Sequence, residues 1–173
     1  MNELRQQIEQ AIQKELGRAR KLYSKHGSIE ESYVVLRREF RELDCECEWY
    51  SSFFAADVVS DWDDSDLEAV KDAIERIKNE ALEVAAMARR LVEDAGFKRF
   101  DPAEFDVGLP EIIGSRTIER YLFWIQHALD MIVESFIVYE YSRDSRMLSG
   151  VCWSIEYFVI EMLINTGTWK TKS

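Results

Sequence analysis

Proline is almost missing from this chain. Two prolines and seven glycines among 173 residues leave few points where a helix must stop or a tight turn can form, so long helices are favoured over a many-turned β fold. Histidine is as scarce, with only His26 and His127, and no cluster for zinc can be assembled from them. The three cysteines, Cys45, Cys47 and Cys152, give neither an even disulfide framework nor a paired metal spacing. They read as reduced, partly buried thiols. No Ser-His-Asp arrangement, phosphate loop or dinucleotide fingerprint is present. A basic start followed by an apolar run is also lacking, so no signal peptide is expected. The most apolar window, Tyr121 to Val138, is broken by Gln126, His127, Asp130 and Glu134, and reads as a buried helix rather than a membrane span. A cytoplasmic location without membrane contact is the expectation.

What the chain does have is charge, unevenly spread. Apolar residues make up 47% and charged residues 32%, with a net charge of −11. That balance suits one soluble globular unit long enough to bury a core. Residues 1–43 hold nine Lys/Arg against seven Asp/Glu, 44–95 hold five against fifteen, and 96–173 hold eight against eleven. The acidity therefore belongs to the middle, which repels nucleic-acid phosphates and argues against direct DNA or RNA binding. It suits a cation site, or a surface for a basic protein partner in the region Asp57 to Asp72.

Periodicity predicts an all-α bundle of about five helices. Leu4, Ile8, Ile12, Leu16, Ala19 and Leu22 share one face of a first helix over residues 2–25. After His26-Gly27, Ser28 and Glu31 have capping-box spacing, so a second helix should begin at Ile29, bury Tyr33, Leu36, Phe40 and Leu43, and run to about Phe54. The acids and serines of Ser60 to Asp66 read as a solvated turn whose last members can cap the next helix, and not as a Ca²⁺ loop, whose glycine and terminal glutamate are missing. A third helix over Leu67 to Ala95 carries small residues at Ala81, Ala85, Ala86 and Ala88, and Gly96 ends it. Phe97 to Gly114, with both prolines, reads as a connection. Two further helices, Ser115 to about Tyr141 and about Ser145 to Asn165, are dense in aromatic side chains that read as core or interface.

Two pairs of acids at three-residue spacing stand out. Glu39 and Glu42 leave one face of the second helix, and Glu80 and Glu83 one face of the third. Packed face to face, the two helices would offer four carboxylates, an oxygen-rich pocket for Mg²⁺ or Mn²⁺.

The stretches SIEESYVVLRREFRELDCE and KNEALEVAAMARRLVED, with Tyr33-Val34-Val35, Glu39, Glu42, Leu43 and Glu46 in the first and Glu80, Glu83, Val84 to Ala88 and Glu93-Asp94 in the second, resemble the signature helices of the MazG-like all-α nucleoside triphosphate pyrophosphohydrolases of phage and prophage type. The resemblance covers about residues 20–96. It implies a MazG-like core over 1–96, with 97–173 as a C-terminal two-helix extension packed on it. It also implies Mg²⁺ or Mn²⁺ held by Glu39, Glu42, Glu80 and Glu83, with Glu46 as an outer acid that orients water. The implied reaction cleaves a nucleoside triphosphate to the monophosphate and pyrophosphate, and the implied assembly is a homodimer.

Arg38 and Arg41 stand where such relatives carry acids, and Glu83 where they carry Asp. Arg38 lies four residues before Glu42, close enough to pair with it and compete with a cation. A degenerate site on a kept fold therefore stays open beside a working one. So does a non-enzymatic acidic protein of phage or mobile-element type that binds a basic partner. Arg120 and His127 also satisfy a spacing that loosely resembles the HEPN helical ribonucleases, although the intervening residues are almost wholly apolar. His127 reads first as a half-buried core histidine.

Overall fold

The apolar periods close into helices at positions set by side-chain caps. In the computed structural model, residues 2–55, 63–99 and 117–169 are described. Among them are five helices and no strand: α1 (Asn2–Leu22), α2 (Ile29–Ala55), α3 (Asp64–Asp94), α4 (Ile118–Ser142) and α5 (Arg146–Asn165). The all-α bundle is as the spacing predicts.

The boundaries differ where a side chain intervenes. Helix α1 stops at Leu22 rather than Lys25 because the Arg90 guanidinium of α3 donates to the carbonyls of Ser24 at 2.5 Å and Tyr23 at 3.3 Å, taking acceptors that another helical turn would use. Helix α2 begins at Ile29 as expected. Ser28 Oγ accepts from the Glu31 amide at 3.1 Å, and Glu31 Oε2 accepts from the Gly27 amide at 2.6 Å. Helix α3 starts earlier than Leu67, because Asp63 accepts from the amides of Ser65 and Asp66 while Asp66 accepts from the Asp63 amide. The last members of the acidic turn thus cap the helix, as expected, and their charge suits its N-terminus. At the other end Gly96 adopts φ +74°, the left-handed geometry that a side chain disfavours.

Helix α3 is the central element, packed against α1, α2 and α5, while α4 lies on α5 and more lightly on α2. Its buried Ala81, Ala85, Ala86 and Ala88 let the neighbouring backbones approach closely. One buried apolar cluster takes Ile8, Ile12 and Leu16 from α1, Leu36 and Leu43 from α2, Ile77, Val84 and Leu91 from α3, Ile125 and Leu129 from α4, and Val151, Ile155 and Val159 from α5. Each large side chain buried there contributes about 1.5–3 kcal/mol.

A buried ion network joins α1, α3 and α5. Arg89 of α3 donates to Glu156 of α5 at 2.7 Å and to Glu9 and Gln13 of α1 at 3.1 Å each. Arg99 also donates to Glu156. Burial raises the Glu156 pKa and the arginines oppose that rise, so the cluster ties three helices together through a satisfied ion network.

The Ser60 to Asp66 turn falls partly, and the Phe97 to Gly114 connection mostly, outside the described residues.

Candidate metal centre and its cleft

The α2–α3 contact brings together acids that lie forty residues apart in sequence. Carboxylate oxygens of Glu39, Glu80 and Glu83 lie within 4.8 Å of one another. The reason is local: Glu39 sits between Leu36, Phe40 and Leu43 on the buried stripe of α2, and Glu80 and Glu83 flank buried Ala81 and Val84 on α3. Glu39 is itself only 5% exposed. Glu42, a helical step further round, leaves the stripe and is exposed, so it borders the cluster without joining it.

Arginines reach the same carboxylates. Arg38 donates to Glu39 Oε1 from Nη2 at 2.5 Å and from Nε at 3.1 Å, and its Nε lies 3.8 Å from Glu42. The pairing expected with Glu42 is thus made more closely with Glu39. Arg18 of α1 donates to Glu83 at 3.2 Å while also holding Glu15. Glu80 differs from both neighbours: its buried Oε2 has no hydrogen-bond partner.

The electrostatics follow from this crowding. Burial, then the charges of Glu15, Glu39 and Glu80, push the Glu83 carboxyl up to about 7, with Arg18 opposing. Burial, then Glu42, Glu39 and Glu46, raise the Glu80 pKa. The two arginines do not cancel the negative charge of this pocket. An all-oxygen donor set with an orphaned buried oxygen and raised carboxyl pKa values fits a hard divalent cation. Glu39, Glu80 and Glu83 are the residues that would hold it.

Glu46 stands apart from the three. It accepts from Arg76 Nε at 2.8 Å, and Arg76 in turn covers the Trp49 ring at 4.5 Å. Arg41 is exposed.

Beside the acids a cleft of about 630 Å³ opens between α1, α2 and α3. Glu15, Glu39, Glu42 and Glu83 line one part of it, Arg18, Arg38 and Arg90 are its cations, and Val35, Leu22, Tyr23 and Met87 add apolar wall. Its far end is a rigid clasp. Arg90, 1% exposed, holds Asp94 at 3.0 Å as well as the end of α1, and Asp94 accepts from the His26 amide at 3.4 Å. His26 Nδ1 lies 2.9 Å from Ser32 Oγ, which donates to the Ser28 carbonyl. That leaves Nδ1–H as the donor to Ser32. Burial and the Arg90 charge lower the His26 pKa, so the ring stays neutral and structural.

Glu15 and Arg18 were not among the residues singled out from sequence. The signal was their three-residue spacing astride buried Leu16 and Ala19, which turns both toward a neighbouring helix. Arg120 and His127 are both exposed on α4, and the His127 ring rests 6.4 Å from Trp124. His127 is therefore a surface residue rather than the half-buried one its apolar neighbours suggest. Of the acidic region proposed for a basic partner, residues 57–62 lie outside the described residues, and Asp63 and Asp66 are engaged in capping α3. Cys45 is exposed while Cys47 and Cys152 are buried. Compared with known protein families, curated proteins and solved structures, the chain matches none of them.

Proposed function

We propose that the chain is a Mg²⁺- or Mn²⁺-dependent nucleoside triphosphate pyrophosphohydrolase of the MazG-like kind, releasing pyrophosphate and a nucleoside monophosphate. One observation carries the reading: Glu39, Glu80 and Glu83 converge from two helices, and a buried oxygen of Glu80 lacks any partner. When bound, a divalent cation at these residues supplies charge neutralisation for phosphate oxygens and a water of lowered pKa.

The chain's own residues do the rest. Arg18 and Arg38 have exposed guanidinium groups at the cleft and can turn from Glu83 and Glu39 toward a phosphate. Tyr23, Leu22 and Met87 offer apolar contact on the same cleft, where a nucleobase can rest. Glu83, whose carboxyl is raised to about 7, would give up its proton on taking the cation. Glu42 and Glu46 add negative charge at the border, with Glu46 anchored by Arg76.

The second reading is a kept fold without chemistry, favoured by the Arg38 guanidinium that lies against Glu39. A turnover assay separates the two. Pyrophosphate release from a panel of nucleoside triphosphates is measured with and without Mn²⁺, for the wild type and for Glu80→Gln. The hydrolase reading expects Mn²⁺-dependent release that falls by about 100-fold or more in Glu80→Gln. No release from any nucleotide, in a protein that melts cooperatively, supports the degenerate site.

A further inference from the structure

A second concavity lies on another face of α2, away from Glu39, Glu80 and Glu83. The groove between α2 and α4 measures about 660 Å³ and is floored by Phe40, Cys47 and Leu122, with Phe123 on its side. Its rim carries Asp44, Glu48 and Glu119, and among the described residues no lysine or arginine lines it.

Two titratable groups there are shifted by their surroundings. Glu119 is held below the usual carboxylate range by the backbone amide at the start of α4, with help from Thr117 and Ser51, so it remains an anion. Cys47 is pushed up to about 12 by burial and then by Asp44, so its thiol stays neutral and apolar.

Beyond the groove, which ends at Gln126 on α4, the helix exposes further apolar residues. Phe123, Val133, Ile137, Val138 and Tyr141 expose 43–88% of their surfaces, and only 39% of the helix's most apolar window is buried. These residues span ~27 Å from Phe123 to Tyr141 at 1.5 Å per residue, with Gln126 donating to Asp130 at 2.8 Å between Phe123 and Val133. Over Tyr121 to Ser142 the sequence has Asp130, Glu134 and Glu140 and not one lysine or arginine. Exposed apolar residues over this length mark an interaction surface; Asp130 and Glu134 lie among them, and exposed Arg120 and Arg143 stand at the two ends, Arg143 paired with Glu140 at 3.3 Å.

We propose that this face of α4, with the α2–α4 groove, docks a basic amphipathic helix of a partner protein. The fit is by shape and by charge. A helix laid along α4 places its apolar residues on Phe123, Val133 and Ile137, and its lysines or arginines beside Asp44, Glu48, Glu119, Asp130 and Glu134. A second copy of this chain fits less well, since a two-fold interface on this face sets its acids against themselves. An anionic membrane is repelled for the same reason.

The test uses the whole chain and a fluorescent 20-residue leucine-lysine peptide whose leucines form one helical stripe. A scrambled peptide of the same composition is the control, and anisotropy is read at low and high salt. Docking expects the striped peptide to bind about tenfold tighter than the scrambled one, a difference of about 1.4 kcal/mol. It also expects Phe123→Ser with Ile137→Ser to remove that preference, and Asp44→Asn with Glu48→Gln to weaken the salt dependence. Amide NMR shifts of the wild type on adding peptide should cluster on α2 and α4, which tests the surface without any substitution.

Equal binding of the scrambled peptide, or shifts spread over the acidic surface at large, overturns the proposal. So does a dimer in sedimentation, or binding to phosphatidylserine vesicles, that Phe123→Ser abolishes. None of these outcomes depends on pyrophosphate release.

Discussion

Glu83 concentrates the physics of the candidate centre in one side chain. Its carboxyl is raised to about 7 from an ordinary 4.5, so ionising it costs folding stability. The cost is absent below about pH 4.5, grows through pH 7 and is complete above it. Glu83→Gln keeps an oxygen to accept from Arg18 and removes the charge. We expect it to stabilise the fold by about 1 kcal/mol at pH 8 and to change little at pH 4, read as urea midpoints at the two pH values. An equal change at both would mean that packing, rather than charge, governs the position. The same proton links binding to pH, since a cation that needs Glu83 ionised must displace it. At this scale the E-x-x-E spacing made three of the converging acids legible. It did not distinguish Glu39 from Glu42, because three residues differ by about 60° around a helix, and that angle separates the buried stripe from solvent. Arg38 was legible as a competitor, but its nearer partner depended on the same angle.

Among the elements, α3 matters most, because it supplies two of the three acids and the Arg90 clasp. Arg90 ends α1, holds Asp94 and borders the cleft. Arg90→Met leaves the Ser24 and Tyr23 carbonyls unpartnered and loosens the α1–α3 corner. Its expected cost is roughly 3 kcal/mol, against about 1 kcal/mol for Asp63→Ala at the α3 N-cap. Paired denaturation curves check both, and a smaller loss for Arg90→Met than for Asp63→Ala would show that the clasp is not structural.

Five helices and the α2 start were readable because scarce proline and glycine leave a clean apolar period and a visible cap. The ends of α1 and the start of α3 were less so. One depends on an arginine nearly seventy residues away, the other on which of Asp63 to Asp66 takes the cap. Contact of α1 with the acids through Glu15 and Arg18 depends on how three helices cross, which no local pattern encodes.

For the whole molecule, the excess negative charge of the middle segment has two structural roles and two proposed ones. Asp63 and Asp66 cap α3, and Glu46 pairs with Arg76. Glu80 and Glu83 sit in the candidate centre, and Asp44 and Glu48 rim the groove on another face of α2. The cation centre and the docking face thus use different faces of one helix, and a variant of either should leave the other intact.

The central claim is that the inward glutamates form a site for a hard cation. Calorimetric titration of Mn²⁺ into the wild type and into Glu80→Gln at pH 8 tests it most directly. The expected result is a single site in the wild type, weakened at least about tenfold in the variant. Absence of binding heat in a folded wild type, or identical titrations for the two proteins, would contradict it.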